Sequence, residues 1–164
     1  MSNNRPTFYT DNGQPIRAAG ILCFIDNKES NKKYWLFRKQ NNLFTDTGGK
    51  TDSIDSSALD TAIRETVEET NGRLFSEKHN SKYCYKILKR EISKQNINPI
   101  YIESCKYLLF PLKLRIKNFE LPLDRFGKLE LHDNLEHSYH WLDEIPAKNI
   151  HPRLITLKKK LIIT

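Results

Sequence analysis

The stretch that most constrains the fold is residues 48–72, GGKTDSIDSSALDTAIRETVEETNG, which joins a pair of glycines to an amphipathic segment. Side chains three and four residues apart share one face of a helix. The small and apolar side chains of this stretch recur at that spacing: Leu59, Ala62, Ile63, Thr66 and Thr70. They predict a helix over about residues 57–70 with one face packed into a core, and Asn71-Gly72 is a suitable left-handed stop.

The opposite face of this helix is predicted to carry negative charge, because Glu65, Glu68 and Glu69 follow the same spacing. Like charges at this spacing cost about 0.2–0.5 kcal/mol per pair, and Arg64 offsets only part of that cost. Mg²⁺ prefers oxygen ligands and is usually held by a few carboxylates together with substrate phosphates. The helix therefore predicts a metal site, and a solvated acidic surface is the alternative.

The glycine pair favours the metal interpretation. Gly48 and Gly49 end a predicted strand, and the chain must then loop before the helix begins. Glycine lets the backbone approach other groups closely, so a carbonyl there can reach a metal ion and a phosphate can lie near the turn.

Outside this stretch, the hydrophobic pattern predicts more strands than helices. Strands are predicted over residues 18–25, 34–37, 100–103, 106–114 and 138–142. A helix is predicted over residues 153–162 and a long loop over residues 120–134, whereas residues 82–93 fit either a strand or a basic amphipathic helix. Asn12-Gly13 predicts a turn. These elements together predict an α/β sandwich with a mixed sheet.

The length and charge of the chain limit its class and its partners. Its 164 residues predict a single domain over 1–164, with a loose tip at residues 1–6. Lysine and arginine number 27 against 20 for aspartate and glutamate, which gives a net charge of +7. Such a surface attracts nucleotides, nucleic acid or acidic lipids, although general solubility is an equal alternative. The oligomeric state stays open.

The cysteines and the apolar runs indicate the compartment. Cys23, Cys84 and Cys105 are odd in number and lack zinc-site spacing, which argues against a disulfide framework and a zinc knuckle. Cys23 lies within AAGILCFI and is predicted to be a core residue. No signal-peptide segment and no membrane-spanning run is found in the sequence. We therefore expect a reducing, cytoplasmic environment and no membrane partner.

The central stretch resembles the Nudix box, whose pattern is a glycine, five residues, a glutamate, seven residues, and then R-E-aliphatic-x-E-E-x-G-aliphatic. The segment RETVEE (64–69) matches its charged part, and five residues separate Gly49 from Asp55. The sequence departs from the pattern in having Asp55 for the first glutamate, one extra residue before Arg64, Thr66 in the aliphatic place and Asn71 in the glycine place. The extra residue puts the role of Asp55 in doubt.

The resemblance continues in EHSYHWLDEIP (136–146). In this family an acid about five residues before the tryptophan of a late strand often contributes to the site, and Glu136 holds that place before Trp141. His132, His137 and His140 are predicted to lie near the same site, without the spacing of a metal-binding pair.

The resemblance implies a Nudix-type α/β/α sandwich with a central mixed β-sheet, and hydrolysis of a pyrophosphate bond in a nucleoside diphosphate linked to another group. It implies a set of ligands for Mg²⁺ or Mn²⁺: Glu65, Glu68, Glu69 and the carbonyl of Gly48 or Gly49. Arg64 is implied to position one of the glutamates through a charge-assisted hydrogen bond. Glu65 is the first candidate for the general base, and Glu136 is the second.

The substrate is the least determined feature. Lys50 and Arg38 are candidates to hold a phosphate, and Phe44 is a candidate to contact a base, with plain surface charge and core packing as the alternatives. A small nucleotide is predicted first: a nucleoside triphosphate, a nucleotide sugar or a dinucleoside polyphosphate. Basic runs at residues 86–91 and 158–160 would suit RNA, so removal of an mRNA cap is the alternative activity. A non-catalytic module that binds nucleotide or RNA is the alternative of another class.

Overall fold

A mixed β-sheet forms the centre of the protein, as seen in a computed structural model that describes residues 4–129 and 136–162. The strands of the described residues are β1 (Phe8–Tyr9), β2 (Pro15–Ile16), β3 (Ala18–Asn27), β4 (Lys32–Gln40), β5 (Leu43–Thr45), β6 (Thr47–Lys50), β7 (Ile100–Ile102), β8 (Tyr107–Lys113) and β9 (Ser138–Leu142). The short hairpin of β1 and β2 is separate from the main sheet. Its turn contains Gly13 with φ 85°, as Asn12-Gly13 predicts.

The long strand β3 lies in the middle of the main sheet, whose order is β5-β4-β3-β8-β7. Its first half pairs with β6 and its second half with β4, both antiparallel. On its other edge β3 runs parallel to β8, while β9 pairs with β4 in the antiparallel sense. The predicted mixed sheet is therefore confirmed.

Helices cover both faces of this sheet. The helices of the described residues are α1 (Ala58–Glu69), α2 (Ser81–Lys94), α3 (Ile116–Phe119) and α4 (Leu157–Ile162). The core on one face joins β3 and β8 to α1 and α2, through side chains such as Ile21, Ile63 and Leu88. The core on the other face joins Leu22 and Leu109 to Leu154 and Leu157 from the segment leading into α4. The protein is thus an α/β/α sandwich.

Helix α1 has the predicted limits. The side chain of Ser57 accepts a hydrogen bond from the backbone N–H of Asp60, which caps the first turn. Asn71 (φ 53°) and Gly72 (φ 63°) then adopt the left-handed conformation that ends the helix.

Other predictions need refinement. Residues 82–93, which fit either of two structures, are helical within α2, because Cys84, Leu88 and Ile92 face the core at helical spacing. The predicted helix over residues 153–162 consists instead of a 3₁₀ turn at Pro152–Leu154 followed by α4. The predicted loop contains a 3₁₀ turn at Leu123–Phe126, and its residues 130–134 lie outside the described part.

The predicted loose tip is held in place where it is described. The guanidinium of Arg5 donates to the carbonyl of Arg17 at 2.7 Å, and the hydroxyl of Thr51 donates to the carbonyl of Pro6 at 2.7 Å. Residues 1–3 lie outside the described part of the chain. In residues 4–129 and 136–162, no helix has both the length and the apolar character that a membrane crossing requires.

Candidate active site

The glycine pair lies in β6, directly against α1. Gly48 is the antiparallel partner of Gly20, and Gly49 that of Ala19 in β3. A Cβ atom on Gly49 would lie 2.6 Å from the carboxyl carbon of Glu65, and one on Gly48 would lie 2.7 Å from the Cα of Gly20. Glycine is therefore required at both positions, because only a bare backbone leaves room for the Glu65 carboxylate and for the neighbouring strand.

Arg64 is the centre of a charged network at the start of this site. Its Nε and Nη2 donate to the two carboxylate oxygens of Asp55, at 2.9 and 3.1 Å. Its Nη1 lies 3.1 Å from an oxygen of Glu65 and 3.5 Å from each oxygen of Glu68, and its Nη2 also donates to the carbonyl of Lys50 at 2.9 Å. One guanidinium thus joins the loop, β6 and two of the glutamates of α1.

The network shifts the pKa values of its members. Burial by itself raises the pKa of Asp55, but hydrogen bonds from Arg64 and Thr61 outweigh burial and hold that pKa below its ordinary value. Burial likewise lowers the pKa of Arg64, whereas Asp55 and Glu65 raise it above the ordinary value. Asp55 therefore stays ionised despite its burial, and it fixes the arginine in a two-pronged contact. The loop brings the side chain of Asp55 to Arg64 despite the extra residue, and the role of Asp55 in the site stays a prediction.

Glu69 departs from the predicted exposed acidic face. Its side chain is buried, with one oxygen accepting the backbone N–H of Gly48 at 3.1 Å and the other 3.1 Å from Nη2 of Arg38. Glu69 lies seven residues after Ala62, which is almost two full helical turns, so the two share one side of the helix. The prediction that all three glutamates share one outward face is therefore wrong for Glu69, which points inward under the glycine pair.

Glu65 and Glu68 are the more accessible members, with side chains 14% and 28% exposed. Carboxylates on a rigid helix beside a glycine backbone fit Mg²⁺ or Mn²⁺ in their donor chemistry. In the described residues, no three acids, histidines or cysteines converge as a formed metal centre. The reason is visible in the network, because Arg64 holds Glu65 and Glu68 while Arg38 and Gly48 hold Glu69.

A second buried charged group supports the glycine pair from the other face of the sheet. Asp46 is fully buried, and Arg153 donates to its Oδ1 from Nε at 3.0 Å, with Nη2 of the arginine 2.8 Å from the same oxygen in an ion pair. The hydroxyl of Tyr107 also donates to Asp46, and Nη2 of Arg153 lies 3.4 Å from the carbonyl oxygen of Gly48. Sequence reasoning missed this group. The acid just before the glycines in TDTGGK was its one signal, and nothing in the sequence pointed to Arg153 as its partner.

The three predicted substrate contacts lie in different surroundings. Lys50 is exposed at the end of β6, next to the glycine pair. Arg38 is buried between Glu69 and His137, whose Nδ1 is 3.5 Å from Nη1 of the arginine. Phe44 packs on the opposite face of the sheet, edge-on to Phe37 at 6.3 Å between ring centroids. The roles in substrate binding stay predictions, and only Lys50 among the three is exposed.

The predicted residues near β9 fall into two groups. Glu136 is exposed just before β9 and forms an isolated bridge with Leu129. His137 is buried, and burial together with the charge of Arg38 lowers its pKa to about 4. The ring of His140 packs against Phe44 on the other face, and His132 lies outside the described residues. Glu136 remains a predicted second candidate for the base, and His137 is a neutral partner of the buried arginine.

Comparisons with known proteins bear on the fold. No protein-family model matches the chain, and the search of curated proteins gave no match either. Among solved structures, a binary complex of an Ap4A hydrolase from C. elegans superimposes with a TM-score of 0.50 at 19% sequence identity, covering 90% of this chain and 96% of that one. Another structure of the C. elegans Ap4A hydrolase has a TM-score of 0.45 and 17% identity, covering 91% and 98%.

The chain has the Nudix fold. The likeness extends over nearly the full length of both proteins. In this Nudix fold the RETVEE segment occupies α1 and the glycine pair occupies β6, side by side.

Proposed function

We propose that this chain is a Nudix hydrolase that cleaves a pyrophosphate bond in a nucleoside diphosphate linked to another group. The observation that carries this proposal is the network of Arg64, which gathers Asp55, Glu65, Glu68 and the carbonyl of Lys50 next to the glycine pair. A surface helix without a function has no need to order so many acidic oxygens around one half-buried cation, because unpaired like charges weaken a helix.

The residues that would hold Mg²⁺ or Mn²⁺ are the glutamates of α1, namely Glu65, Glu68 and Glu69, with the carbonyl of Gly48 or Gly49. These residues would hold a divalent ion there, whose charge would neutralise the phosphate oxygens and make a water easier to deprotonate. Arg64 keeps the carboxylates of Glu65 and Glu68 close to the glycine backbone, and Asp55 keeps Arg64 in place.

The proton of the attacking water needs a carboxylate acceptor. We assign this role first to Glu65, because its carboxylate lies against Gly49, and second to Glu136. Lys50 is exposed beside the glycine pair and is the first choice to contact a phosphate. Arg38 is buried against Glu69, so it would act on a phosphate only through that glutamate. Phe44 remains a candidate contact for a base.

The proposed substrates are small nucleotides: nucleoside triphosphates, nucleotide sugars and dinucleoside polyphosphates. Dinucleoside polyphosphates come first, because the C. elegans protein of similar fold is an Ap4A hydrolase. Removal of an mRNA cap is the alternative activity, and a module that binds nucleotide or RNA without cleavage is the alternative of another class. Three free cysteines suit a reducing compartment such as the cytoplasm.

The test is a hydrolysis assay with Mg²⁺ or Mn²⁺ on a panel of substrates. The panel contains diadenosine polyphosphates, ordinary and 8-oxo nucleoside triphosphates, ADP-ribose and a capped RNA, with products separated by chromatography. We expect release of a nucleoside monophosphate or diphosphate from at least one of them, and no release with EDTA. Tight binding without metal and without product from any substrate would instead support the binding module.

Variants of α1 tie the activity to the acidic residues. Glu68→Gln and Glu69→Gln are each expected to lower kcat/KM by at least about 100-fold, because each removes a charge that balances the metal. Glu29→Gln, at an exposed turn between β3 and β4, makes the same chemical change and should retain full activity. Full activity in both α1 variants would overturn the proposal, provided that circular dichroism shows a native fold.

A further inference from the structure

The outer face of α2 is strongly basic. Lys82, Lys86, Lys89 and Arg90 follow one another at helical spacing and are all exposed. We call these four residues the basic face of α2. At about 1.5 Å per residue, they extend over roughly 12 Å of the helix. Together with Tyr85 and Ser93 they line one shallow groove.

The protein neutralises the positive charge of this groove only in part, because the charge of Lys89 is among the causes that lower the pKa of Asp60. The groove has no acidic residue in its lining. Glu91, the one acid of α2, lines a neighbouring groove, in which Arg90 also takes part. Within residues 4–129 and 136–162, none of the four cations forms an ion pair. An external anion is therefore the natural partner of this face.

The groove continues into a cleft between α1 and α2. This cleft has a volume of about 460 Å³ and shares Lys82 and Tyr85 with the groove. Its lining also includes Arg64 and Glu68 of the candidate active site. A continuous path therefore leads from the basic face of α2 to the network of Arg64.

The acids along this path do not repel an anion as free charges would. Asp55 is paired with Arg64. Asp60 accepts hydrogen bonds from the backbone N–H of Ser56 at 3.2 Å and from the hydroxyl of Tyr85 at 2.7 Å. Burial raises the pKa of Asp60, but those bonds outweigh burial and lower it, so Asp60 is ionised and already satisfied.

We propose that the basic face of α2 binds single-stranded nucleic acid and directs one end of the strand into the cleft. Proteins bind such strands through a positive groove for the backbone and through side chains on which the bases stack. The groove supplies the charge, and the ring of Tyr85, with the Nζ of Lys89 at 6.0 Å from its centroid, supplies a stacking surface. Ile54, 77% exposed at the rim of the cleft, adds apolar area. The binding of nucleic acid does not rest on the proposed function. The placement of the strand end in the cleft, near Glu68, does rest on it.

The first experiment measures binding of a fluorescent single-stranded RNA 12-mer by anisotropy, in EDTA so that no hydrolysis occurs. Lys86→Glu/Lys89→Glu is compared with Lys158→Glu/Lys159→Glu on α4, which makes the same change of charge at exposed positions. We expect the α2 variant to bind at least about tenfold more weakly and the α4 control less than about threefold. The slope of log K against log salt should fall in magnitude by about 1.4 in the α2 variant, since each lost phosphate contact contributes about 0.7.

Equal losses in both variants would overturn the proposal, and so would no measurable binding by the wild-type protein. Equal affinity for a duplex of the same length would also overturn it, because it would show attraction by charge alone. Tyr85→Leu should weaken binding at least about fivefold through lost stacking, while Tyr85→Phe should retain it. Hydrolysis of a small nucleotide is measured in parallel with metal. If the protein hydrolyses no small nucleotide but still binds RNA, that result counts against the proposed function and still supports RNA binding by the basic face of α2.

Discussion

At the scale of single residues, Arg64 explains why so much acid is tolerated around α1. A guanidinium has five donors in a fixed plane, and those of the half-buried Arg64 reach two carboxylate oxygens of Asp55, one of Glu65 and the carbonyl of Lys50. Glu69, by contrast, belongs to Arg38 and the N–H of Gly48. The acidic residues are thus divided between two arginines, one near the surface of α1 and one within the protein.

Asp55 gives the sharpest test at this scale. Asp55→Asn keeps the size of the side chain but removes the charge that holds Arg64, so the guanidinium loses its two-pronged partner. We expect kcat to fall by about 10–100-fold with KM changed less, as is usual when a group that orients metal ligands is removed. Steady-state kinetics, on whichever substrate of the panel the wild-type protein hydrolyses, would measure this effect.

The neighbouring Asp52→Asn is the matched control. Asp52 is exposed, and its carboxylate accepts only local bonds from Ile54 and Ser53. The kcat of the Asp52→Asn variant should stay within about twofold of the wild-type value. An Asp55→Asn variant as active as this control would show that Arg64 keeps its position without Asp55.

At the scale of elements, the strand β6 is held by side chains from both faces of the sheet. On one side α1 contributes Glu65 and Glu69 to its glycines, and on the other Arg153 contacts the carbonyl of Gly48. The core-facing residues of α1 follow from periodicity, and so do its cap and its stop. The inward position of Glu69 was not predicted, although its register with Ala62 agrees with it. The pairing of Asp46 with Arg153 does not follow from periodicity, because 107 residues separate them and no local pattern encodes so distant a contact.

Arg153→Met tests this support. The substitution keeps an apolar stem but leaves the buried charge of Asp46 without its cation, which costs about 3 kcal/mol of unfolding free energy. Urea denaturation followed by circular dichroism measures the loss. The double variant Arg153→Met/Asp46→Asn removes both charges and should recover part of the stability. If the double variant is no more stable than Arg153→Met, the buried pair is not the reason for the loss.

At the scale of the whole molecule, the sheet brings distant segments of the chain to one site. The parallel pairing of β3 with β8 and the antiparallel pairing of β4 with β9 place residues 18–50 beside residues 107–142. The sequence predicts most of these strands, because their apolar runs are strong. It does not predict which neighbours they choose, since pairing depends on the packing of the complete sandwich. For the same reason, local sequence pattern does not predict the short strands β5 and β6 or the burial of Arg38.

The burial of His137 makes the stability of the whole molecule depend on pH. The pKa of His137 is about 4 in the folded protein, against an ordinary value of 6.5, because burial and Arg38 disfavour its charged form. Between these values the unfolded chain binds more protons, so the free energy of unfolding falls as the pH falls from about 6.5 to about 4. His137→Gln should lessen this fall by on the order of 1–2 kcal/mol. Urea denaturation at pH 7 and pH 4.5 measures it, and an unchanged fall in the variant would contradict the assignment.

The contact between Asp46 and Arg153 also has a consequence for the order in which the protein is made. Ribosomes add about 5–20 residues per second, so the 107 positions between the two take roughly 5 to 20 s to synthesise. During that interval the nascent chain holds the Asp46 carboxylate without its arginine. The glycine pair and the acidic helix can come into contact early, since they are neighbours in the chain. Arg153, which supports the glycine pair from the other face of the sheet, is synthesised only with the segment that leads into α4.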